Sequence, residues 1–226
     1  MKANILCSQL SLLICLCTGI LIESQGPTWL YGTAAEHNVL YQYELYQAQN
    51  IFMGMIQTES PYYPPDPQAP APFNKGLGAF NADPDFSNCP ASLPHCFVSW
   101  ALRIVSSSNI QIAGAGLYSW FQDHNEACVD TQNCQQSLVS TYLSSDLWIY
   151  NLITIGSVEM ISPYGSSYTA ALAKDNTDST GHPFWSIISA WLLLADGSSN
   201  EPYTAGQTIT LPSWFWAMPT PSVSCW

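Results

Sequence analysis

Three short stretches of the 226-residue chain place polar and apolar residues in the same order: Ala48-Gln49-Asn50-Ile51-Phe52-Met53, Ser107-Ser108-Asn109-Ile110-Gln111-Ile112 and Ser144-Ser145-Asp146-Leu147-Trp148-Ile149. In each, small or polar residues lead to an Asn or Asp, and apolar residues then follow at alternating positions. Asn and Asp tolerate the left-handed backbone of a tight turn, and a period of two sends alternate side chains to one face of a strand. The pattern predicts strands that start from equivalent turns and stack around one core. The turn residues are 59 and then 37 positions apart, so loops of unequal length are inserted between coils of roughly 20 to 29 residues. Nothing sustains a helical period of 3.6. The predicted fold class is all-β, a right-handed parallel β-helix solenoid, open only at its ends. A β-sandwich is the competing arrangement, but it needs hairpin turns, and Asp196-Gly197 supplies the one Asp-Gly signal.

Two segments interrupt the strand pattern. Between Pro61 and Cys96 lie nine prolines, which cannot join a sheet interior, so this stretch is expected to be a long surface insertion with stiff extended pieces. Gly165 to Gly181 is expected to be a second loop, after which Phe184 to Leu194 returns as an apolar run. From about residue 201 an aromatic tail follows, with Trp214, Phe215, Trp216 and Trp226, and it is expected to pack on the solenoid.

The first residues follow a different logic. Lys2 precedes the apolar run Ile5 to Cys17, and Cys17-Thr18-Gly19 offers small residues for cleavage, so residues 1–19 read as a secretory signal and residues 20–226 as one β-helix domain. An uncleaved membrane anchor is the competing reading, because the apolar stretch continued to Ile22 approaches the ~18 residues a spanning helix needs. The expected location is extracellular. In such an oxidising compartment the close pairs Cys89/Cys96 and Cys128/Cys134 are most economically two short-loop disulfides, leaving Cys225 free or paired across chains. A zinc site lacks both CxxC spacing and a suitably placed His. His37, His95, His124 and His182 are scattered and read as turn or surface residues. Asp66, Asp83, Asp85, Asp123 and Asp130 read as solvated loop charges or turn caps.

Composition narrows the partners. Only 9% of residues are charged while 13% are aromatic, a profile suited to neutral ligands, and equally to a structural secreted β-protein. A net charge of −12, with Arg103 as the sole arginine, leaves no basic patch for a phosphate backbone, so nucleic acid is excluded as a partner. No cofactor or metal is expected. With so few cations available, a carboxylate in an apolar setting must find hydrogen bonds, stay wet or keep its proton. Two such carboxyl groups stand out in the aromatic stretch Trp29 to Tyr63. Glu36, in Gly32-Thr33-Ala34-Ala35-Glu36-His37-Asn38, reads on its own as a solvated charge in a turn entering a strand from Val39 to Tyr43. Glu59 stands where the run Ile51 to Ile56 gives way to Ser60-Pro61-Tyr62-Tyr63, and aromatic walls there would raise its pKa as a general acid requires.

Several long blocks carry a more specific signal. ILIESQGPTWLYGTAAEHNVLYQYELYQAQNIFMGMIQTESPYY, DPDFSNC, WALRIVSSSNIQIAGAGLYSWFQ, CVDTQNCQ and IYNLITIGS occur in one order, and from about Gly19 to Trp191 the chain resembles the second β-helical half of the family 55 glycoside hydrolases, the mainly fungal exo-β-1,3-glucanases. The resemblance implies inverting removal of glucose from the non-reducing end of a laminarin-type β-1,3-glucan in a cleft between two side-by-side β-helices. It implies that Glu59, in the QTESPYY block, is the general acid, and that Glu36, in the TAAEHN block, is the second acidic residue of the pocket. Trp29, Tyr31, Tyr62 and Tyr63 are the candidate sugar-stacking residues. The family's first β-helix, which supplies the groups that hold the attacking water, has no counterpart among these blocks. The chain is therefore expected to act as a fragment, with a non-catalytic β-glucan-binding or cell-wall-associated protein as the alternative. A pectin-cleaving β-helix enzyme would need calcium-binding aspartate clusters and a basic catalytic residue, which the sequence does not offer.

Overall fold

A computed structural model describes residues 16–73, 80, 82–163, 169–178, 180 and 184–194. The expected signal segment up to residue 15, His182, and the aromatic tail with Cys225 lie outside the described residues. The described chain is all-β. Its strands are β1 (Ile20–Ile22), β2 (Thr28–Tyr31), β3 (Ala34–Glu36), β4 (Tyr41–Tyr46), β5 (Gln49–Glu59), β6 (Trp100–Val105), β7 (Ser108–Tyr118), β8 (Gln135–Tyr142), β9 (Ser145–Ile155), β10 (Ser157–Pro163), β11 (Ala171–Leu172) and β12 (Ser186–Leu193). Among the described residues helical structure is confined to short 3-10 turns at Pro94–Cys96, Ala127–Thr131 and Ala173–Asp175, and no helix is long and apolar enough to cross a membrane.

The strands form two six-stranded sheets. One has the order β1-β4-β6-β8-β10-β11; the other runs β12-β9-β7-β5-β2, with β3 also paired to β5. Successive pairs alternate between the sheets: β4, β6 and β8 lie in the first, β5, β7 and β9 in the second. Neighbours are parallel and held in register, so that Tyr43, Leu102 and Val139 align in one sheet and Ile51, Ile110 and Leu147 in the other. Two pairings are antiparallel, β10 with β11 and β9 with β12. β12 accounts for the apolar run at residues 184–194, while β11 and its following 3-10 turn fall where the sequence predicted only loop.

The predicted turns are the corners between the sheets. Asn50, Asn109 and Asp146 all adopt left-handed backbone, with φ of 57°, 58° and 52°. Their strands start in matching register, Gln49 opposite Ser108 and Ser108 opposite Ser145. Asn109 donates its side-chain amide to Asn50, and Asn50 passes a bond on to the Gln25 carbonyl at 3.0 Å, so the corner residues bond along the stack. The preceding serines do the same: Ser107 Oγ accepts from the Ala48 amide at 3.0 Å, and Ser144 Oγ from the Ser107 amide at 3.1 Å. Those bonds satisfy backbone donors that a corner would otherwise leave buried and unpaired. A second left-handed column bends the second sheet at Met55, Gly114 and Asn151, with φ of 56°, 84° and 52°, and Gly32 (φ 60°) separates β2 from β3 at the matching place.

The main core fills the space between the sheets, with Ile51, Met53, Ile110, Ile112, Leu147 and Ile149 stacked from strand to strand and at most 1% exposed. Burial of each contributes on the order of 1.5 to 3 kcal/mol, which is what fixes the inward face and so the register. A smaller core lies outside the first sheet, where the proline-rich insertion folds back: Val39, Leu40, Tyr41, Ala69, Phe86 and Cys89 pack together there, with Tyr63 and Trp100 against them. Both expected disulfides are present, Cys89–Cys96 pinning this insertion and Cys128–Cys134 the loop between β7 and β8.

Two expectations need correction. Asp83 is not a solvated charge; both its carboxylate oxygens are buried under the insertion, near the Tyr41 hydroxyl. Glu36 is not in a free turn before a strand at Val39. It ends β3, and the next strand begins at Tyr41.

Candidate active site

Glu36 and Glu59 come together because β3 pairs with the last three residues of β5. Ala34, Ala35 and Glu36 lie opposite Gln57, Thr58 and Glu59 in parallel register. Thr58 is buried and points inward, so Glu36 and Glu59 project together from the outer face. Tyr118, the last residue of β7, is the next residue in the same row, opposite Glu59. The row stands at the edge where these strands leave the sheet, and Glu59 is followed at once by the proline-rich insertion.

His37 holds the pair from above. Its backbone is left-handed, with φ 61°, and its amide bonds the Glu59 carbonyl at 3.0 Å, which tucks the ring over the row. Nδ1 lies 3.2 Å from the Ser60 carbonyl, an acceptor, so Nδ1 carries the proton and Nε2 accepts from the Tyr62 hydroxyl at 3.1 Å. Nε2 is 3.9 Å from Glu36 Oε2 and 3.8 Å from Glu59 Oε2. An oxygen of each glutamate and a ring nitrogen of His37 all lie within 4.8 Å of one another. Such a set has the donors for a cation, but His37 Nε2 already accepts from Tyr62, and Glu59 already has a hydrogen bond from Trp120. His37 sits in a turn, as expected of it, and its ring nitrogen also stands less than 4 Å from both carboxylates.

The two glutamates differ in setting. The Glu36 side chain is 38% exposed and that of Glu59 28%. Partial burial and the nearby Glu36 charge hold the Glu59 carboxyl above the usual range, while His37 and the Trp120 hydrogen bond pull against them. Desolvation and a like charge both favour the protonated form, which is the state a proton donor needs.

Aromatic residues wall the row. Tyr62 stacks on His37, with ring centroids 4.4 Å apart, and also meets Phe121 at 4.6 Å. Tyr118 lies 5.6 Å from Trp120 and 6.4 Å from Trp185 between ring centroids. Gly116 makes room for this wall, since a Cβ there would stand 2.3 Å from the Tyr118 hydroxyl. Burial and the Glu59 charge push the Tyr118 phenol up, so it remains a neutral donor beside the acid.

The four aromatic candidates from the sequence go to different places. Tyr62 is at the pair. Tyr63 turns into the core beneath the insertion, its hydroxyl 3.4 Å from the Ala71 carbonyl. Trp29 and Tyr31 lie on the outer face of β2, opposite Phe52 and Gly54, and are 43% and 47% exposed. They stand on the same sheet as Glu59 but on the other side of the bend at Met55. Tyr118, Trp120 and Trp185 went unnoticed in the sequence. The signal for Tyr118 was present: Gly116-Leu117-Tyr118 ends its strand as Gln57-Thr58-Glu59 ends the one before, 59 positions earlier.

Comparison with known proteins adds a chemical class. No family model matches the chain. It is 50% identical over 183 residues to a protein of Penicillium expansum named non-secreted LysM effector LysM15, covering 81% of this chain and 11% of that one. It is 41% identical over 147 residues to a probable glucan endo-1,3-beta-glucosidase of Arthroderma benhamiae, covering 65% of this chain and 16% of the relative. With the glucan 1,3-beta-glucosidase of Cochliobolus carbonum it shares 32% identity over 164 residues, 70% of this chain and 19% of that protein. The chain is therefore related, at moderate identity, to proteins named as β-1,3-glucan hydrolases. It spans between 11% and 19% of the length of these three relatives.

Proposed function

We propose that this chain is the acid-bearing wall of an exo-β-1,3-glucanase site, built on a right-handed parallel β-helix of glycoside hydrolase family 55. The observation that carries the reading is the placement of Glu36 directly opposite Glu59 at a sheet edge walled by Tyr62, Tyr118 and Trp120, with Glu59 biased toward its protonated form. Protonated Glu59 donates its proton to the departing glycosidic oxygen of a β-1,3-linked glucosyl unit seated against the aromatic rings, and Glu36 keeps that proton on Glu59 by like-charge repulsion. Two alternating sheets stacked in register, with left-handed residues in columns at the corners, support the solenoid part of the reading. Two disulfides suit an oxidising compartment and support secretion.

Glu36 is not the base of an inverting pair. Inverting carboxyl groups stand about 6.5 to 9.5 Å apart so that a water fits between them, whereas here donor oxygens of the two lie within 4.8 Å. On this reading the groups that hold the attacking water lie outside this pair, in the first β-helical half that the family resemblance implies.

A second reading has its own support. The chain is 50% identical to a protein named as a LysM effector rather than as a hydrolase, which favours a β-glucan-binding role without turnover. Incubation with laminarin-type glucan and analysis of the products by chromatography separates the readings. Glucose as the sole early product supports the exo-hydrolase, a ladder of oligosaccharides contradicts the exo mode, and co-sedimentation with insoluble glucan without any release supports binding alone.

A further inference from the structure

A cavity lies away from the glutamates, on the outer face of the first sheet. It is about 400 Å³ in volume and lies between the loop at residues 84–88 and strands β6 and β8, with Trp100, Arg103, Asp85, Asn88 and Tyr142 in its walls. That is the lower part of the range for small-molecule sites and suits one or two sugar rings. The walls are fixed from both sides. Phe86 anchors the loop in the smaller core, its backbone left-handed at φ 55°, and the Cys89–Cys96 disulfide closes the loop just beyond. Asp85 accepts a hydrogen bond from the Ser87 amide at 2.9 Å, which braces the turn. On the sheet side Glu44, Arg103 and Ser140 form one row across β4, β6 and β8.

The charge in this cavity selects its occupant. Arg103 Nη1 is held 2.7 Å from buried Glu44 and 2.6 Å from the Ala82 carbonyl, so the guanidinium is pinned in place with these hydrogen bonds directed toward the protein. With Asp85 in the wall and a chain of net charge −12, an anion is disfavoured. The lining sets Pro84, Phe86, Trp100 and Tyr142 beside carboxylate, amide and guanidinium groups, which suits a ligand with both apolar faces and hydroxyls better than a wholly aliphatic or lipid group. What remains is a neutral polyhydroxyl ring, which offers C–H faces to Trp100 and to Tyr142 (47% exposed) and hydroxyls to the polar side chains.

We propose that this cavity is a second, non-catalytic saccharide site, taking a neutral pyranose unit of a glucan chain. The choice of β-1,3-glucan as its polymer rests on the function proposed above; the chemistry of the cavity does not. The test is a chemical-shift titration of the whole chain with laminaritriose, in a Glu59→Gln background to prevent turnover, with sedimentation on insoluble β-1,3-glucan as a second arm. The expected result is perturbation of Trp100 and Tyr142 resonances alongside any at Glu36 and Tyr118. Tyr142→Ala should weaken the cavity's affinity about tenfold and leave shifts at Glu36 unchanged. Ile187→Ala, which trims an equally exposed apolar side chain elsewhere, should change neither site. Perturbation at Glu36 and Tyr118 without any at Trp100 overturns this proposal and leaves the glucanase reading standing; perturbation at Trp100 alone does the reverse. If Tyr142→Ala binds like the parent, or if pull-down on insoluble glucan is lost equally with Ile187→Ala, the cavity is not a saccharide site.

Discussion

Glu36 and Glu59 are direct partners in the parallel pairing of β3 with β5, two carboxylates side by side on adjacent strands with His37 Nε2 less than 4 Å from each. Like charges directly opposite each other in a sheet are destabilising, and the residual cost is relieved by a proton. The pairing therefore biases Glu59 toward its protonated form.

Removing one member should release the other. Because the Glu36 charge helps to hold Glu59 up, Glu36→Gln should lower the Glu59 pKa. The sign for activity follows: Glu59 then loses its proton at lower pH, so the alkaline limb of the pH–activity profile moves down. The same shift should appear in a carboxyl titration followed by NMR. An unmoved Glu59 titration would mean that the two charges do not couple.

A second carboxyl group should govern stability. Burial pushes Glu44 up to about 7, against the pull of Arg103. A carboxyl whose folded pKa lies above its unfolded value near 4.5 stabilises the fold fully below that unfolded value, and the contribution fades as pH rises through about 7. The melting temperature should accordingly fall between pH 5 and 8 by several degrees, on the order of 1 to 3 kcal/mol. Glu44→Gln should flatten this dependence, since an amide at that position does not titrate. A parent curve that is flat or rises with pH contradicts the assignment.

Two glycines with the same backbone handedness should behave differently. Gly114 and Gly156 have φ of 84° and 74°. At Gly114 a Cβ would meet the Met55 sulfur at 2.9 Å, the end of a flexible and exposed side chain, whereas at Gly156 it would stand 1.8 Å from the Ser119 carbonyl oxygen. Gly114→Ala should cost about 1 to 2 kcal/mol from the left-handed backbone alone. Gly156→Ala adds a clash with main chain and should cost more than about 3 kcal/mol, read as a shift in denaturation midpoint.

Sequence made much of this legible where a residue type has one physical use. Asn50, Asn109 and Asp146 announced the corners because left-handed backbone is cheap for them, and the alternation after each marked the inward face. The second column, Met55, Gly114 and Asn151, was silent: its residues share a conformation but no side-chain chemistry. Glu59 was visible at the strand end, while Glu36 was identifiable as its partner only through the resemblance, since a three-residue strand such as β3 carries too little periodicity to show. The nearness of His37 to the carboxylates and the burial of Asp83 did not show either. Whether a polar residue beside a turn is wet depends on what folds over it, here Tyr62 and the proline-rich insertion, and those contacts are distant in sequence.

The aromatic wall offers a gentler probe of the site. Gly116→Ala forces the Tyr118 ring off its place against Glu59 without touching the core. Oligosaccharide affinity at the glutamate pair should fall about three- to tenfold with the fold intact by circular dichroism. Unchanged affinity would show that Tyr118 does not contact the sugar.

The most direct test of the central claim is a comparison of leaving groups. Parent and Glu59→Gln proteins are given a β-1,3-linked glucotriose, whose departing sugar needs a proton, and a dinitrophenyl β-glucoside, whose departing phenolate does not. If Glu59 is the general acid, Glu59→Gln should lose about 10²- to 10⁴-fold on the trisaccharide and little on the aryl glucoside. Equal losses on both substrates, no loss on either, or no cleavage of either by the parent protein would contradict the account.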